Sequence, residues 1–270
     1  MYNEEKLQQW VAYLSRCDLP VMKQTARDLA TLHDNERRLT TRLLSEVISR
    51  DPLMVVKLLR YFHQHKGGAQ TVEMIQVEQT LRMLGIESFF EHVAPQPLIE
   101  DMLLKAQPAA IAPVLRVIHR SRLAADYAYD WAVRLHDLHF AALGIAALLH
   151  GTAEILAWCF APKSMLKIHD IQQRDRTLRS HEVQQQVLGF PLSALQLALA
   201  AEWSLPELKM SVADEAAENQ TRMLNVVLAV NLARHSAHGW DDAALQDDYR
   251  QIGRLLRIPP EQLPGMFKHP

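Results

Sequence analysis

The sequence predicts an all-α protein, because apolar residues recur every three or four positions along almost the whole chain. Strict alternation of apolar and polar residues, which would indicate half-buried strands, is hard to find. The 270 residues include only nine glycines, so glycine marks just a few of the boundaries between segments. These observations favour a helical fold of one large domain or two small ones.

Four helices are predicted in the first part of the chain. The first covers Glu4 to Leu14, and the second begins at Pro20 and runs to about Leu32. Thr40 or Thr41 can cap the third, since a threonine hydroxyl accepts a bond from an otherwise unpaired N–H group. Asp51–Pro52 begins the fourth, because the carboxylate accepts such N–H groups and proline suits the first helical position.

A change of organisation is predicted in the middle of the chain. Gly67–Gly68 interrupts the chain, Thr71 begins the next helix, and Gly85 ends it. Prolines are then frequent. We expect an N-terminal helical lobe at 1–93, a proline-rich connection at 94–113, a second helical lobe at 114–240 and a C-terminal helical extension at 241–270.

The second lobe contains the most apolar helix of the chain. A long helix is predicted from Val114 to Leu135, followed by a stretch from His139 to Phe160 that is apolar nearly all round. That pattern is typical of a central helix buried on every side. Its most apolar run, Phe140 to Leu149, is about half the length that spans a bilayer.

Composition limits the classes of function. A formal net charge of -2 argues against binding nucleic acid through bulk charge. Cys17 and Cys159 form no motif, which favours a reducing compartment. The acidic N-terminus lacks an apolar signal segment, so we expect a cytoplasmic protein without a membrane partner.

Several segments in order resemble the HDOD family, a bacterial signalling module related to the HD-domain metal phosphohydrolases. "DLPVMKQTARDLATLHDN" and "TTRLLSEVISRDPLMVVKLLRYF", within 18–62, resemble its N-terminal half, and "VEQTLRMLGIESF" the helix and Leu-Gly turn that follow. "HRSRLAADYAYDWA", "FAALGIAALLHGTAEILAW" and "LGFPLSALQLALAAEWSLPELKMSV" resemble the HD-related half. The resemblance covers about Leu14 to His235 and implies an HDOD-like helical fold.

The resemblance also implies where a metal site would lie in a catalytic relative. An HD phosphohydrolase holds its metal with a first histidine, a His-Asp pair and a distant aspartate. These positions match His119, His150, Gly151 and Asn231. Because glycine and asparagine replace the two aspartates, the resemblance implies a vestigial site, and we expect no metal, no cofactor and no catalytic residue.

The sequence departs from the family at two further places. The family's Asn-Ser after the "LLR" helix is replaced by "HQH" at 63–65, and Gln76 and Thr80 stand where Ser and Ala are usual. A ligand that depends on those residues in other members is therefore not expected here.

Three arginines form a candidate binding site for an anion or a protein partner. Arg174, Arg176 and Arg179 lie close together near two acidic residues. Guanidinium groups bind phosphates and carboxylates well. A surface loop with internal ion pairs is the alternative interpretation.

The resemblance implies a non-catalytic regulatory protein that binds a partner protein or a small nucleotide and so shifts its lobes. Two alternatives stay open. One is a residual metal-dependent phosphohydrolase that uses His119 and His150 with a carboxylate such as Glu154 or Asp126. The other is a nucleic-acid-binding regulator, against which the near-neutral charge counts.

Overall fold

The computed structural model describes residues 2–35, 39–65, 76–175, 177–205 and 217–267, and this part of the chain is helical without a β-strand. The prediction of an all-α fold is confirmed. Pro206–Met210 and the glycines at 67–68 lie outside the described residues, as does Thr71. The helices are α1 (Glu4–Arg16), α2 (Lys23–His33), α3 (Thr41–Ile48), α4 (Pro52–His65), α5 (Val77–Leu84), α6 (Ile86–His92), α7 (Ile99–Ala106), α8 (Ile111–Arg134), α9 (Phe140–Leu149), α10 (Thr152–Phe160), α11 (Pro162–Arg174), α12 (Ser180–Leu188), α13 (Leu192–Glu202), α14 (Ala217–His235), α15 (Leu245–Leu256) and α16 (Leu263–Phe267).

The chain forms two compact units, each built from two separate stretches. Unit one comprises Met1–Ile118 and Gly151–Lys209, and unit two comprises His119–His150 and Met210–Pro270. The sequential division into 1–93, 94–113, 114–240 and 241–270 stays a prediction.

The second helix begins later than its sequence predicts. The N–H of Val21 donates to the carbonyl of Pro97 at 2.9 Å, and the N–H of Ile99 donates to the carbonyl of Val21 at 2.9 Å. This isolated pairing holds Val21 in an extended conformation. Helix α2 therefore begins at Lys23, and the prediction that Pro20 begins it is wrong.

The predicted helix caps are present in unit one. Thr40 caps α3 by accepting from a backbone N–H. Asp51 is fully buried, and its Oδ1 accepts from the N–H groups of Leu53 and Met54 at the start of α4. Its Oδ2 accepts from the N–H of Met22 at 2.7 Å. Asp51 thus joins the starts of two helices in addition to capping its own.

The apolar stretch forms two helices where one was expected. Helix α9 ends at Leu149 and α10 begins at Thr152, so the chain breaks at His150 and Gly151. Phe140–Phe160 together are long and apolar enough to cross a membrane, but 72% of the apolar window is buried inside the protein, as in the core helix of a soluble protein. The expectation of a stretch buried on every side is met by α9, where every residue from Ala142 to Leu149 is buried.

The core of unit two lies among the second half of α8 and helices α9, α14, α15 and α16. Trp131 is buried at its centre, stacks on Tyr127 at a centroid distance of 5.9 Å, and lies 6.0 Å from the ring of Phe267. This packing positions α8, α9 and α14, which carry three of the four HD-related positions.

Candidate functional site

Of the four positions that match HD metal ligands, three belong to unit two and one belongs to unit one. His119 is exposed on α8, Asn231 is half-buried on α14, and His150 is half-buried at the C-terminal cap of α9. Gly151 is the N-cap of α10 and offers no side-chain ligand. Neither histidine ring forms a hydrogen bond or ion pair with another residue in the described ranges.

His150 lies in positively charged surroundings. Burial lowers the pKa of its imidazole, and the charges of Arg234 and Arg120 lower this pKa further. A neutral imidazole is the form that binds metals, but the same two arginines would repel a divalent cation placed beside the ring. The electrostatics at His150 therefore disfavour a metal.

The side chain of Asn231 is hydrogen-bonded to one of these arginines. Its Oδ1 accepts a hydrogen bond from Nη2 of Arg234 at 3.3 Å. The same Nη2 lies 3.4 Å from Nε2 of His235, whose Nδ1 lies 2.6 Å from Oδ2 of the buried Asp248. The carboxylate on this side of α14 is thus bound to His235.

The donor set does not fit a metal ion. Among the residues that the structure describes, no group of three or more His, Cys, Asp or Glu side chains is placed to hold one. Glu154 and Asp126, the carboxylates considered as substitutes, each already make an interaction within the protein. Glu154 also belongs to unit one, whereas His150 belongs to unit two.

The structure describes two of the three arginines of the predicted cluster. Arg174 ends α11 and Arg179 is the N-cap of α12, and both side chains are exposed; Arg176 lies outside the described residues. Between them, Asp175 accepts from Thr177 N at 2.9 Å and from its Oγ1 at 2.6 Å, and these bonds lower the pKa of its carboxyl group. The alternative interpretation was a loop with internal ion pairs, and no ion pair between Asp175 and an arginine is among the contacts of the described residues. An anion or partner site there stays a prediction.

Sequence reasoning did not single out Arg120 and Arg234. Only Arg234 carried a signal in the sequence, because it lies one helical turn after Asn231. Neighbours at that spacing share a helix face, so a positive charge near the former metal position could have been inferred.

Known structures show the same fold. The MmoQ response regulator of Methylococcus capsulatus str. Bath superposes with a TM-score of 0.65 at 16% identity, over 89% of this chain and 99% of that chain. A virulence factor from Campylobacter jejuni subsp. jejuni gives 0.70 at 15% identity, over 98% and 93%. An HDOD domain protein from Geobacter sulfurreducens gives 0.50 at 15%, over 97% and 93%.

Sequence comparison extends the likeness beyond the fold. No curated protein is significantly similar to the chain in sequence. The HDOD domain, however, matches residues 19–218, which is most of the chain. HDOD domains are generally degenerate relatives of the HD phosphohydrolases, in agreement with the altered ligand positions found here. The chain belongs to the HDOD domain family.

Proposed function

We propose that this chain is a non-catalytic, cytoplasmic regulatory protein of bacterial signal transduction, which acts by binding a partner protein or a small nucleotide. The observation that carries the proposal is the hydrogen bond between Arg234 and Asn231. It places a positive charge beside the neutral side chain that stands where a catalytic relative has a metal-binding carboxylate.

Two physical effects argue against hydrolysis at this site. A catalytic metal must lower the pKa of a bound water, and carboxylate ligands help to hold the ion. Here the matching side chains are a glycine hydrogen and a neutral amide. The remaining imidazole, His150, lies in the field of two arginines. A metal bound there would be weakly held.

Membership of the family supports a signalling role. The HDOD domain covers most of the chain, and MmoQ, which shares the fold, is named a response regulator. The two cysteines are unpaired, which suits a reducing compartment.

We further propose that Arg174 and Arg179 contribute to the partner surface. Both guanidinium groups are exposed, and neither pairs with a carboxylate in the described part of the chain. An acidic partner could therefore bind them without breaking an existing ion pair.

Metal content and hydrolysis test the non-catalytic assignment together. Untagged protein would be incubated with manganese, iron, nickel or zinc, analysed by elemental mass spectrometry, and assayed on a chromogenic phosphodiester. We expect substoichiometric metal and the same background rate in the wild type and in His150→Gln. Stoichiometric metal that His150→Gln loses, together with hydrolysis, would establish the residual phosphohydrolase instead.

Capture of partners tests the binding role. The double substitution R174E/R179E reverses the charge of the proposed surface, whereas K163E/K167E on α11 changes charge equally elsewhere. We expect a protein bound by the wild type to be lost by the first variant and kept by the second. If the same proteins bind all three, the arginines are not the partner surface. Salt-dependent retention of DNA or RNA would favour a nucleic-acid regulator.

A further inference from the structure

Unit one contains a polar pocket that the HD-related positions do not use. Its volume is about 120 Å³. It is lined by residues of the loop between α1 and α2, of one face of α4 and of the end of α6. Lys57, Arg60, Tyr61 and Gln64 line it from α4. Their spacing is that of one helix face, so the sequence presents all four side chains to the same space.

Two cations are fixed at this pocket by the backbone around them. The Lys57 ammonium donates to the carbonyl of Leu19 at 3.1 Å and to that of Gln96 at 2.6 Å. Nη2 of Arg60 donates to the carbonyl of Ser15 at 2.8 Å, and its guanidinium lies 5.6 Å from the centroid of the Trp203 ring. These contacts orient the two positive groups but neutralise neither.

The positive charge of the pocket exceeds the negative charge. Lys57 and Arg60 are half-buried, and burial lowers the pKa of each. Neither forms an ion pair with a carboxylate of the described chain. The exposed Asp18 also lines the pocket and raises the pKa of both cations, and the buried Asp51 raises the pKa of Lys57. Asp18 is thus the one carboxylate among the lining side chains, against the two cations. Half-buried cations without a close counter-ion favour the binding of an anion.

Further hydrogen-bonding groups line the same pocket. The exposed amide of Gln64 lies one turn beyond Arg60 on α4. His92 stacks on Tyr61 at 5.4 Å, and its Nδ1 bonds the carbonyl of Ser88 at 3.0 Å. Because a carbonyl only accepts, Nδ1 carries a proton and donates it to this bond.

We infer that this pocket binds one phosphate group, either free or at the end of a larger molecule. A dianion matches two cations, and its oxygens can accept from those N–H groups of Arg60 and Lys57 that do not donate to the carbonyls of Leu14, Ser15, Leu19 and Gln96. A whole nucleotide needs a site of roughly 300 Å³ or more. The pocket therefore accepts one phosphate, either inorganic phosphate or the terminal phosphate of a larger molecule that extends outside.

This inference deepens the proposed function, because it gives the nucleotide ligand a binding group, and in that respect it rests on the proposal. The two can fail separately. Absence of phosphate binding would leave the non-catalytic assignment and the arginine surface unchanged, whereas metal-dependent hydrolysis would leave this pocket unchanged.

Calorimetric titration at constant ionic strength tests the site in the full chain, with inorganic phosphate in one arm and adenosine 5′-monophosphate in the other. Acetate and chloride are the reference anions. Lys57→Gln removes a charge from the pocket, and Lys105→Gln removes one from the exposed surface of α7. Gln64→Glu, a change at an exposed position that leaves the core intact, adds a carboxylate at the pocket, with Gln173→Glu as its control.

We expect saturable binding of phosphate that weakens at least about tenfold in Lys57→Gln and in Gln64→Glu, because a charge-assisted contact is lost or repelled. Both controls should bind like the wild type. Tighter binding of the nucleoside monophosphate would assign a nucleotide as the source of the phosphate, and equal affinities would assign free phosphate. No binding beyond that of acetate, or affinities equal in all five proteins, would overturn the site.

Discussion

Arg234 donates a hydrogen bond to the side-chain oxygen of Asn231, one turn earlier on the same helix. The resemblance to HD phosphohydrolases assigns a metal-binding aspartate to this position. The amide therefore does more than remove a negative charge, because its oxygen is already occupied by a cation. The charge of Arg234 also lowers the pKa of His150.

The first prediction concerns the ionisation of His150. Arg234→Gln should raise its pKa, because one of the two repelling charges is removed, but burial should keep this pKa below the ordinary histidine value. Histidine ring resonances followed by NMR over pH measure the change. Arg254→Gln, on the exposed face of α15, is the matched control and should leave the titration unchanged. Equal titration curves in both variants would mean that Arg234 does not act on His150.

The second prediction is that the protein loses stability in mild acid. Burial lowers the pKa values of His63 and His150, and Nε2 of His63 is buried without a hydrogen-bond partner among the described residues. The unfolded chain, with histidine pKa values of about 6.5, then binds more protons than the folded chain. The free energy of unfolding should therefore fall as the pH decreases from about 6.5 towards the folded-state values.

Urea unfolding on both sides of that window measures this loss. His63→Gln should reduce the difference in the free energy of unfolding between the two pH values, whereas His181→Gln, at an exposed position, should preserve that difference. If His63→Gln preserves the whole difference, its burial does not contribute to the acid sensitivity.

The sequence predicted elements whose cause is local. Asp51–Pro52 and Gly85 mark helix boundaries through their own chemistry, and Gly85 does adopt a positive φ of 88° at the end of α5. The start of α2 was missed because Val21 pairs with residues near Pro97, far along the chain. Apolar periodicity likewise did not reveal the break at His150, since residues on both sides are buried.

The candidate sites were predictable to different extents. The altered metal positions could be read from the family pattern, because they are single residues in aligned segments. The pocket beside Lys57 could not, since its second wall comes from residues around Asp18 and His92, which only tertiary packing brings to α4. Half-burial of a lysine is likewise a property of packing and has no signature in the local sequence.

The third prediction concerns Asp51, whose carboxylate binds backbone N–H groups at the starts of both α2 and α4. Asp51→Ala should lower the free energy of unfolding by about 3 kcal/mol, because it removes a helix cap together with the buried hydrogen bond that the N–H of Met22 donates to Asp51. Thr40→Ala removes a cap with no long-range bond and should cost only about 1 kcal/mol. Chemical denaturation of both variants measures the difference. Equal costs would show that the bond to Met22 adds nothing.

The fourth prediction concerns the ion pair between Arg222 on α14 and Asp137 in the loop before α9. The guanidinium binds the carboxylate through Nε at 2.7 Å and Nη2 at 3.2 Å, and both residues are half-buried. Burial alone would raise the pKa of Asp137, but hydrogen bonds from Arg222 and His139 lower it further than burial raises it. Arg222→Gln should cost about 2 kcal/mol, because a charge-assisted pair is lost and Asp137 stays half-enclosed.

A double-mutant cycle with Asp137→Asn isolates the pair and should give a coupling energy of about 1 kcal/mol or more. The exposed pair Arg250–Asp247 is the control, and its loss should change stability by less than about 0.5 kcal/mol. Because the folded pKa of Asp137 is depressed, its contribution is complete above about pH 4 and is lost as the pH falls through the folded value. Arg222→Gln should therefore flatten the acid side of the stability curve. A cycle without coupling and an unchanged acid limb would show that the two residues are neighbours without a stabilising interaction.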